Sequence, residues 1–555
     1  MNIPKHRPSN STLAGLALAL ALAAAAPSAH ANVYASNVKI NGGMTNLAVA
    51  QGTGVNISYI LNEPASAGVT IKILSGATAV RTISIVSGAG TTRGTNTAVW
   101  DGKADGGANA PGGNYSVSIT AASTGYSGWT KITDDNNIGN YVYDSCGIAV
   151  DRNTNRPYYG RVFVGNSYAG PGSSLGDLIG VQKLNADGSY ADEGGFSDGG
   201  VAWNGQSFGP WKIRVSDDDY VYVEDIWYYG DIYRFDGTIS SNSMLYVFAA
   251  PTDGSLGNWN GFWLVGQGTN TVLWAADAYG TFGISKFFVK PDGTFDPSAG
   301  TQVVGVSASS GMDVAPYSVA LDKAGNIYTL QSQANQGYSD ALVFRFPAYD
   351  PSTNSGLPEY AADWVAGPGD DYCGGHGIAV DPTGTYVAAC FWGYGDNWYN
   401  YTSGNIKILN AADGTIVTNL DLGVSYPSGL TSDPTHHMDT DADWDAVGNL
   451  YYLDDWPGCW RAFSPPGTNQ ATTVALANVQ VTVSVAPTTL RIAPAAGNSY
   501  AISYSGGGGS QFVLLTSPTV NAPLAGWARA ATNIAPNGVF SITPSARTFY
   551  RVKSE

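Results

Sequence analysis

Gly377-Ile378-Ala379-Val380-Asp381-Pro382-Thr383-Gly384-Thr385-Tyr386-Val387 is an apolar run, an Asp-x-x-Gly turn and a second apolar run. Ser318-Val319-Ala320-Leu321-Asp322-Lys323-Ala324-Gly325-Asn326-Ile327-Tyr328 repeats it, and so does Asp443-Trp444-Asp445-Ala446-Val447-Gly448-Asn449-Leu450-Tyr451-Tyr452. Each reads as strand, tight turn, strand, with Asp opening the turn and Gly closing it. Weaker copies begin at Gly147 and Trp211, and a sixth falls between Trp263 and Ala275. Third strands follow, as in Gly180-Val181-Gln182-Lys183-Leu184, Asp231-Ile232-Tyr233-Arg234-Phe235 and Asn405-Ile406-Lys407-Ile408-Leu409. A period of about fifty residues suits four-stranded blades joined by long loops.

The repeat therefore predicts a β-propeller over residues 124–483, with six blades by the count of copies and seven as the alternative. Its pattern resembles NHL repeats and the gluconolactonase-like six-bladed propellers. The resemblance implies the fold and leaves the activity open, because such rings host lactonases, lyases, hydrolases and binding modules alike. The gluconolactonase-like enzymes hold a divalent metal on the channel axis with Glu, Asn and Asp side chains. Here Glu224, Asn166 and Asp454 are the rough counterparts, and the other matching positions are Trp, Tyr, Cys and His. Lactonase chemistry does not follow from such a set.

The flanks read differently. Residues 1–31 carry Lys5 and Arg7, an apolar run from Leu13 to Ala26, and Ala29-His30-Ala31, the pattern of a cleaved secretory signal. Residues 32–123 alternate short strands with Gly-rich turns, as expected of a small β-sandwich. Val99-Trp100-Asp101-Gly102-Lys103-Ala104-Asp105-Gly106-Gly107 followed by Pro111-Gly112-Gly113-Asn114-Tyr115 resembles the Ig-like domain of flagellar hook-capping proteins. That resemblance implies a spacer or adhesion module. Residues 484–555 are rich in Ala, Ser, Thr and Pro with alternating strands, and predict a second small β-sandwich. The whole chain is thus expected to be all-β.

Loss of the signal takes the 26 basic side chains to 24 against 43 acidic ones, a net charge of −19. A nucleic-acid partner is disfavoured, since phosphate binding depends on Lys and Arg. No stretch beyond the signal approaches the length of a spanning helix. The reading is of a secreted protein, extracellular, cell-surface or periplasmic. Cys146, Cys373, Cys390 and Cys459 then favour disulfides. Spacing leaves three pairings open; the propeller reading would bring Cys459 of the last blade beside Cys146 of the first, leaving Cys373 with Cys390.

In such a ring, the starts of first strands and the loops after second strands share one face. First-strand starts are Cys146, Trp211, Tyr317, His376 and Thr440 with Asp441; the second group includes Asn166, Glu224, Asp225, Trp227, Asp277, Gln331, Trp392, Asp396, Trp398, Asp454, Asp455 and Trp456. Trp211, Glu224, Asp225, Trp227, Trp392, Trp398, Asp454, Asp455 and Trp456 form the expected ligand-binding set, because aromatic faces beside hydrogen-bonding carboxylates suit sugar rings. His376, one of three histidines left after the signal, is the candidate general base, with Tyr317 and Asp396 as partners. His436-His437-Met438-Asp439-Thr440-Asp441-Ala442-Asp443-Trp444-Asp445, if extended, puts Asp439, Asp441 and Asp443 on one face. Such a row of hard oxygen ligands suits Ca²⁺.

The leading expectation is a binding protein presenting this aromatic, acidic face to an extracellular polysaccharide or other glycan. The alternatives are a polysaccharide lyase or glycoside hydrolase on the same face, and a structural adhesion module. His-Glu-x-x-His and phosphate-loop motifs are absent from the sequence.

Overall fold

The computed structural model describes residues 33–554 except 136, 171–177, 204–208, 227–229, 250–258, 278–282, 307–315, 332–341, 353–361, 368–372, 394–405, 421–438, 455–457, 484–488, 508–510, 535–536 and 546, and except the side chains of 138, 373, 374, 392, 393 and 439. Apart from short 3-10 turns, every described element is a strand.

Among the described residues, six four-stranded antiparallel sheets occupy the stretch from residue 130 to residue 464. Their first strands are Ser145–Val150, Ile213–Val215, Trp259–Val265, Pro316–Leu321, Cys373–Val380 and Asp439–Trp444, in sheets I to VI. Each first strand packs on that of the next sheet, and Asp439–Trp444 packs back on Ser145–Val150, so the six close a ring. The first strand is innermost because its residues are buried on both faces, as in Ser145–Val150 and Pro316–Leu321.

The Asp-x-x-Gly turns have a plain cause. Asp381 accepts hydrogen bonds from the amides of Thr383 at 3.0 Å, Thr385 at 2.6 Å and Tyr386 at 2.6 Å. Asp322 takes Ala324 and Asn326, and Asp445 takes Val447 and Asn449, in the same way. Gly384, Gly325 and Gly448 sit at φ of +71°, +84° and +92°, a conformation that strains other residues.

Among the described residues the ring is closed by strand pairing. The fourth strand of sheet VI is Thr130–Lys131, from the amino-terminal side of the ring, which pairs with Cys459–Ser464. Ile132 N–H adds a bond to the Ala462 carbonyl, and Val142 N–H one to that of Gly458, each 2.9 Å long. Cys146, Cys390 and Cys459 are buried, and no disulfide is present among the described residues. The expected Cys146–Cys459 staple is therefore replaced by strand pairing; the side chain of Cys373 lies outside the described residues.

The amino-terminal sandwich faces the sheet Ala35–Ile40, Val55–Leu61, Gly94–Trp100 against one built on Gly113–Tyr126 and Gly68–Ser75. Trp100 and Tyr115 meet at 5.4 Å in its core. Two strands come from the far end of the ring: Gly467–Val474 pairs with Gly113–Tyr126, and Val479–Thr482 pairs with both Gly113–Tyr126 and Leu47–Ala50. Ala477, Val479 and Val481 are buried with Val117 and Ile71. Residues 467–482, read from sequence as the end of the repeat region, thus complete the sandwich, and the ring is an insertion between two of its paired strands. The tail forms two three-stranded sheets around Ile502, Tyr504, Phe512, Leu514 and Phe540.

Candidate functional site on the ring axis

The same irregularity recurs at the entry end of the inner strands. In sheets I, III, IV, V and VI one residue is skipped by the pairing with the second strand: Cys146, Asn260, Tyr317, His376 and Thr440. In sheet II, Trp211 N–H donates to the Glu224 carbonyl and Glu224 N–H to that of Lys212, so Glu224 faces two residues. A bulge re-aims the side chain of the extra residue. Three of these side chains meet across the ring: His376 lies 4.6 Å from Tyr317 and 5.2 Å from Trp211, ring centre to ring centre. Cys146 packs against Trp211 and Tyr317. Trp211 is 4 % exposed, Tyr317 8 % and His376 2 %, so the cluster caps the axis with ring edges more than with open faces. Gly147, Gly261 and Gly377 follow three of the bulges. A Cβ there would lie 2.0 Å from Trp211 O, 2.6 Å from Tyr317 O and 2.7 Å from Asp441 Cα, so glycine sets how closely the inner strands approach.

Beneath the cap the free edges of the inner strands must be satisfied, since a buried backbone group without a partner is costly. Charged side chains do this. Asp441 accepts from Ile148 N–H at 3.1 Å and holds Arg214 through two bonds of 2.7 and 3.0 Å. Asp443 accepts from Val150 N–H at 2.9 Å and pairs with Arg152. Lys212 donates to the carbonyls of Cys146, at 3.1 Å, and Thr440, with Asp441 3.6 Å away. Burial pulls the Lys212 ammonium below its ordinary pKa, and Asp441 opposes the shift.

These contacts place several of the residues singled out from sequence. Asp441 and Asp443, two of the three expected calcium ligands, give oxygens to arginine and backbone N–H groups. Among the described residues no group of three metal-binding side chains is present. Asp454 is bound by Arg461 at 2.7 Å within sheet VI. Asn166 accepts from the amides of Tyr143 and Asp144 and donates to the carbonyls of Tyr168 and Leu178, so it ties a loop. Trp227, Asp396, Trp398, Asp455 and Trp456, with the side chains of Trp392 and Asp439, lie outside the described residues.

Two titratable groups at the entry end are displaced in opposite senses. His376 Nδ1 lies 3.0 Å from the Thr440 carbonyl, which only accepts, so Nδ1 carries the hydrogen. Burial and then the Lys212 charge hold its pKa well below the usual histidine range, leaving a neutral ring with the Nε2 lone pair. Glu224 is fully buried, and neither carboxyl oxygen has a hydrogen-bond partner among the described residues. Burial raises its pKa well above the usual range despite Lys212 and Arg214, which favours the protonated acid. Asp225, the next residue, is buried as well.

Lys212, Arg214 and Asn260 escaped the sequence reading, which looked only at strand starts and loops. The available signal was Lys212-Ile213-Arg214, two cations at period two inside an apolar inner strand. The reading also overlooked the exit end, where a cavity of about 790 Å³ opens among the turns that join first and second strands.

Residues 44–125 match the FlgD Ig-like domain. No curated protein matches the chain. Among solved structures, the calcium form of the Trichoderma reesei Carbohydrate-Active Enzymes Family AA12 protein is 14 % identical, with a TM-score of 0.38, over 62 % of this chain and 97 % of that one. Its iodide form is 13 % identical with a TM-score of 0.37, over 62 % and 98 %. Kluyvelomyces marxianus Hsv2 is 12 % identical with a TM-score of 0.31, over 57 % and 90 %.

Proposed function

We propose that this chain is a secreted or cell-surface protein in which a six-bladed β-propeller of the NHL kind, carried with an Ig-like sandwich and a carboxy-terminal sandwich, binds an extracellular glycan at its entry face. The reading is supported chiefly by the meeting of Trp211, Tyr317 and His376, from three different sheets, at the entry end of the axis. Their edges form the floor, and the Trp- and Tyr-rich segments around Trp227, Trp392, Trp398 and Trp456 supply the stacking faces in this reading. Asp225 and Asp455 would accept sugar hydroxyls. The −17 charge of the full chain favours a neutral or cationic glycan over an anionic one.

One observation favours a second reading, a lyase. A neutral His376 with Nδ1 fixed on Thr440 and Tyr317 against its face has the form of a base and its partner. A hydrolase using Glu224 and Asp225 is disfavoured, because adjacent strand residues point to opposite faces of the sheet.

Affinity gels of soluble polysaccharides, run with Ca²⁺ and with EDTA, test the reading, with released reducing and unsaturated ends measured in parallel. Retention without product, weakened about tenfold in Trp227→Ala or Trp398→Ala, is the expected result. Product that disappears in His376→Ala would establish the lyase instead, and neither retention nor product would leave only a structural adhesion module.

A further inference from the structure

We propose that the ring carries a second binding site at the exit end of its axis, a funnel that takes an uncharged, hydroxyl-rich chain such as the end of a neutral oligosaccharide. It shares with the entry-face reading only the class of ligand. The cavity of about 790 Å³ is walled by turns from all six sheets, and its volume falls in the range of small-molecule sites.

The chemistry of the wall selects the ligand. Arg214 and Arg152 are neutralised by Asp441 and Asp443, and Asp322 and Asp381 are held by the amides of their own turns. With those two pairs set aside, Asp217, Asp322 and Asp381 stand against Lys323, a net negative wall that disfavours an anion, and the two turn aspartates already have their oxygens engaged by backbone N–H groups. The remaining polar groups at the mouth include the carboxamides of Gln267 and Asn270, each of which both donates and accepts, as sugar hydroxyls do. Trp263 lines the same space. The Arg152 and Arg214 guanidinium groups lie 5.5 and 5.6 Å from its ring centre and fix the indole in place. Arg152 keeps 31 % of its side chain exposed beside that ring, a donor edge next to an apolar plane.

The mature full chain is titrated calorimetrically with cellotriose, maltotriose and laminaritriose, and with trigalacturonate as the anionic control. The variants are Gln267→Trp and Asn270→Trp, both at exposed positions where a large side chain fills the funnel without touching the core, and Trp398→Ala at the entry face. Thermal melts of each variant establish that it is folded. The expected result is binding of at least one neutral trisaccharide, weakened about tenfold or reduced by one site in the two rim variants and kept in Trp398→Ala. Trigalacturonate is expected to bind less. Neutral binding unchanged in both folded rim variants would overturn the funnel; if Trp398→Ala alone removed it, the entry-face reading would stand while the funnel fell. Absence of binding by all three neutral probes, or preference for trigalacturonate, would also overturn it.

Discussion

Sheets III, IV and V share one continuous apolar cluster that runs from Trp263 through Phe344 to Leu409. Around sheets VI, I and II the apolar contacts divide into smaller clusters, and the axis is filled by Arg152, Lys212, Arg214, Asp441 and Asp443. The second region contains sheet VI, where the two ends of the ring meet: residues 132–144 join its outer strand Thr130–Lys131 to sheet I, and strand pairing joins that strand to Cys459–Ser464. Apolar burial is non-directional and tolerates slippage. Hydrogen bonds donated by Ile148 N–H to Asp441 and by Val150 N–H to Asp443 fix one register only. Directional bonds thus stand beside the sheet in which the ring is closed by strand pairing, and hydrocarbon suffices across sheets III to V.

The sharpest way to break this comparison is to change one group in each region. Asp441→Asn leaves Arg214 buried without its counter-charge and is expected to cost about 3–5 kcal/mol in urea unfolding. Phe344→Leu, in the apolar region, is expected to cost about 1–2 kcal/mol. A reversed order would show that the charges only fill space.

A smaller effect sharpens the comparison at the seam between sheet VI and the sandwich. Glu63 is buried there, accepting from the hydroxyls of Tyr126 at 2.8 Å and Ser464 at 3.3 Å. Burial raises its pKa to about 7, and burial raises that of Asp445, two hydrogen bonds further on through Asn449, to about 7 also. Both folded values lie above the unfolded ones. Their contribution is therefore complete below about pH 4 and is lost as pH rises through 7. The melting temperature is expected to rise on going from pH 8 to 5.5, with a stability gain on the order of 2 kcal/mol, and Glu63→Gln should flatten the rise. A melting temperature that falls on acidification in that window would contradict the buried acids.

The smallest expected effect is none at all. If strand pairing closes the ring, a reductant leaves the melting temperature unchanged; a disulfide at Cys146–Cys459 would make it fall by the equivalent of about 2–4 kcal/mol.

The strands and turns were largely legible in the sequence, because Asp381, Asp322 and Asp445 act on amides within five residues of themselves. The first-strand starts were legible too: Trp211, Tyr317 and His376 converge as their positions in the repeat implied. What escaped was pairing over long separations. Asp441 and Asp443 look like metal ligands until their partners appear 293 residues away, at Ile148 and Val150. Val479 and Val481 look like the end of one more repeat until Tyr115 and Gly113 are found beside them. A local pattern states what a side chain can do, and the fold decides which group it meets.

The pairing of Gly467 with Tyr126, on either side of the ring, also sets an order of events. In a chain made from its amino end, the sandwich begins first and finishes last. Its core lacks Ala477, Val479 and Val481 until the entire ring has emerged, so the leading module stays an open half-shell whose completion reports that everything between has arrived.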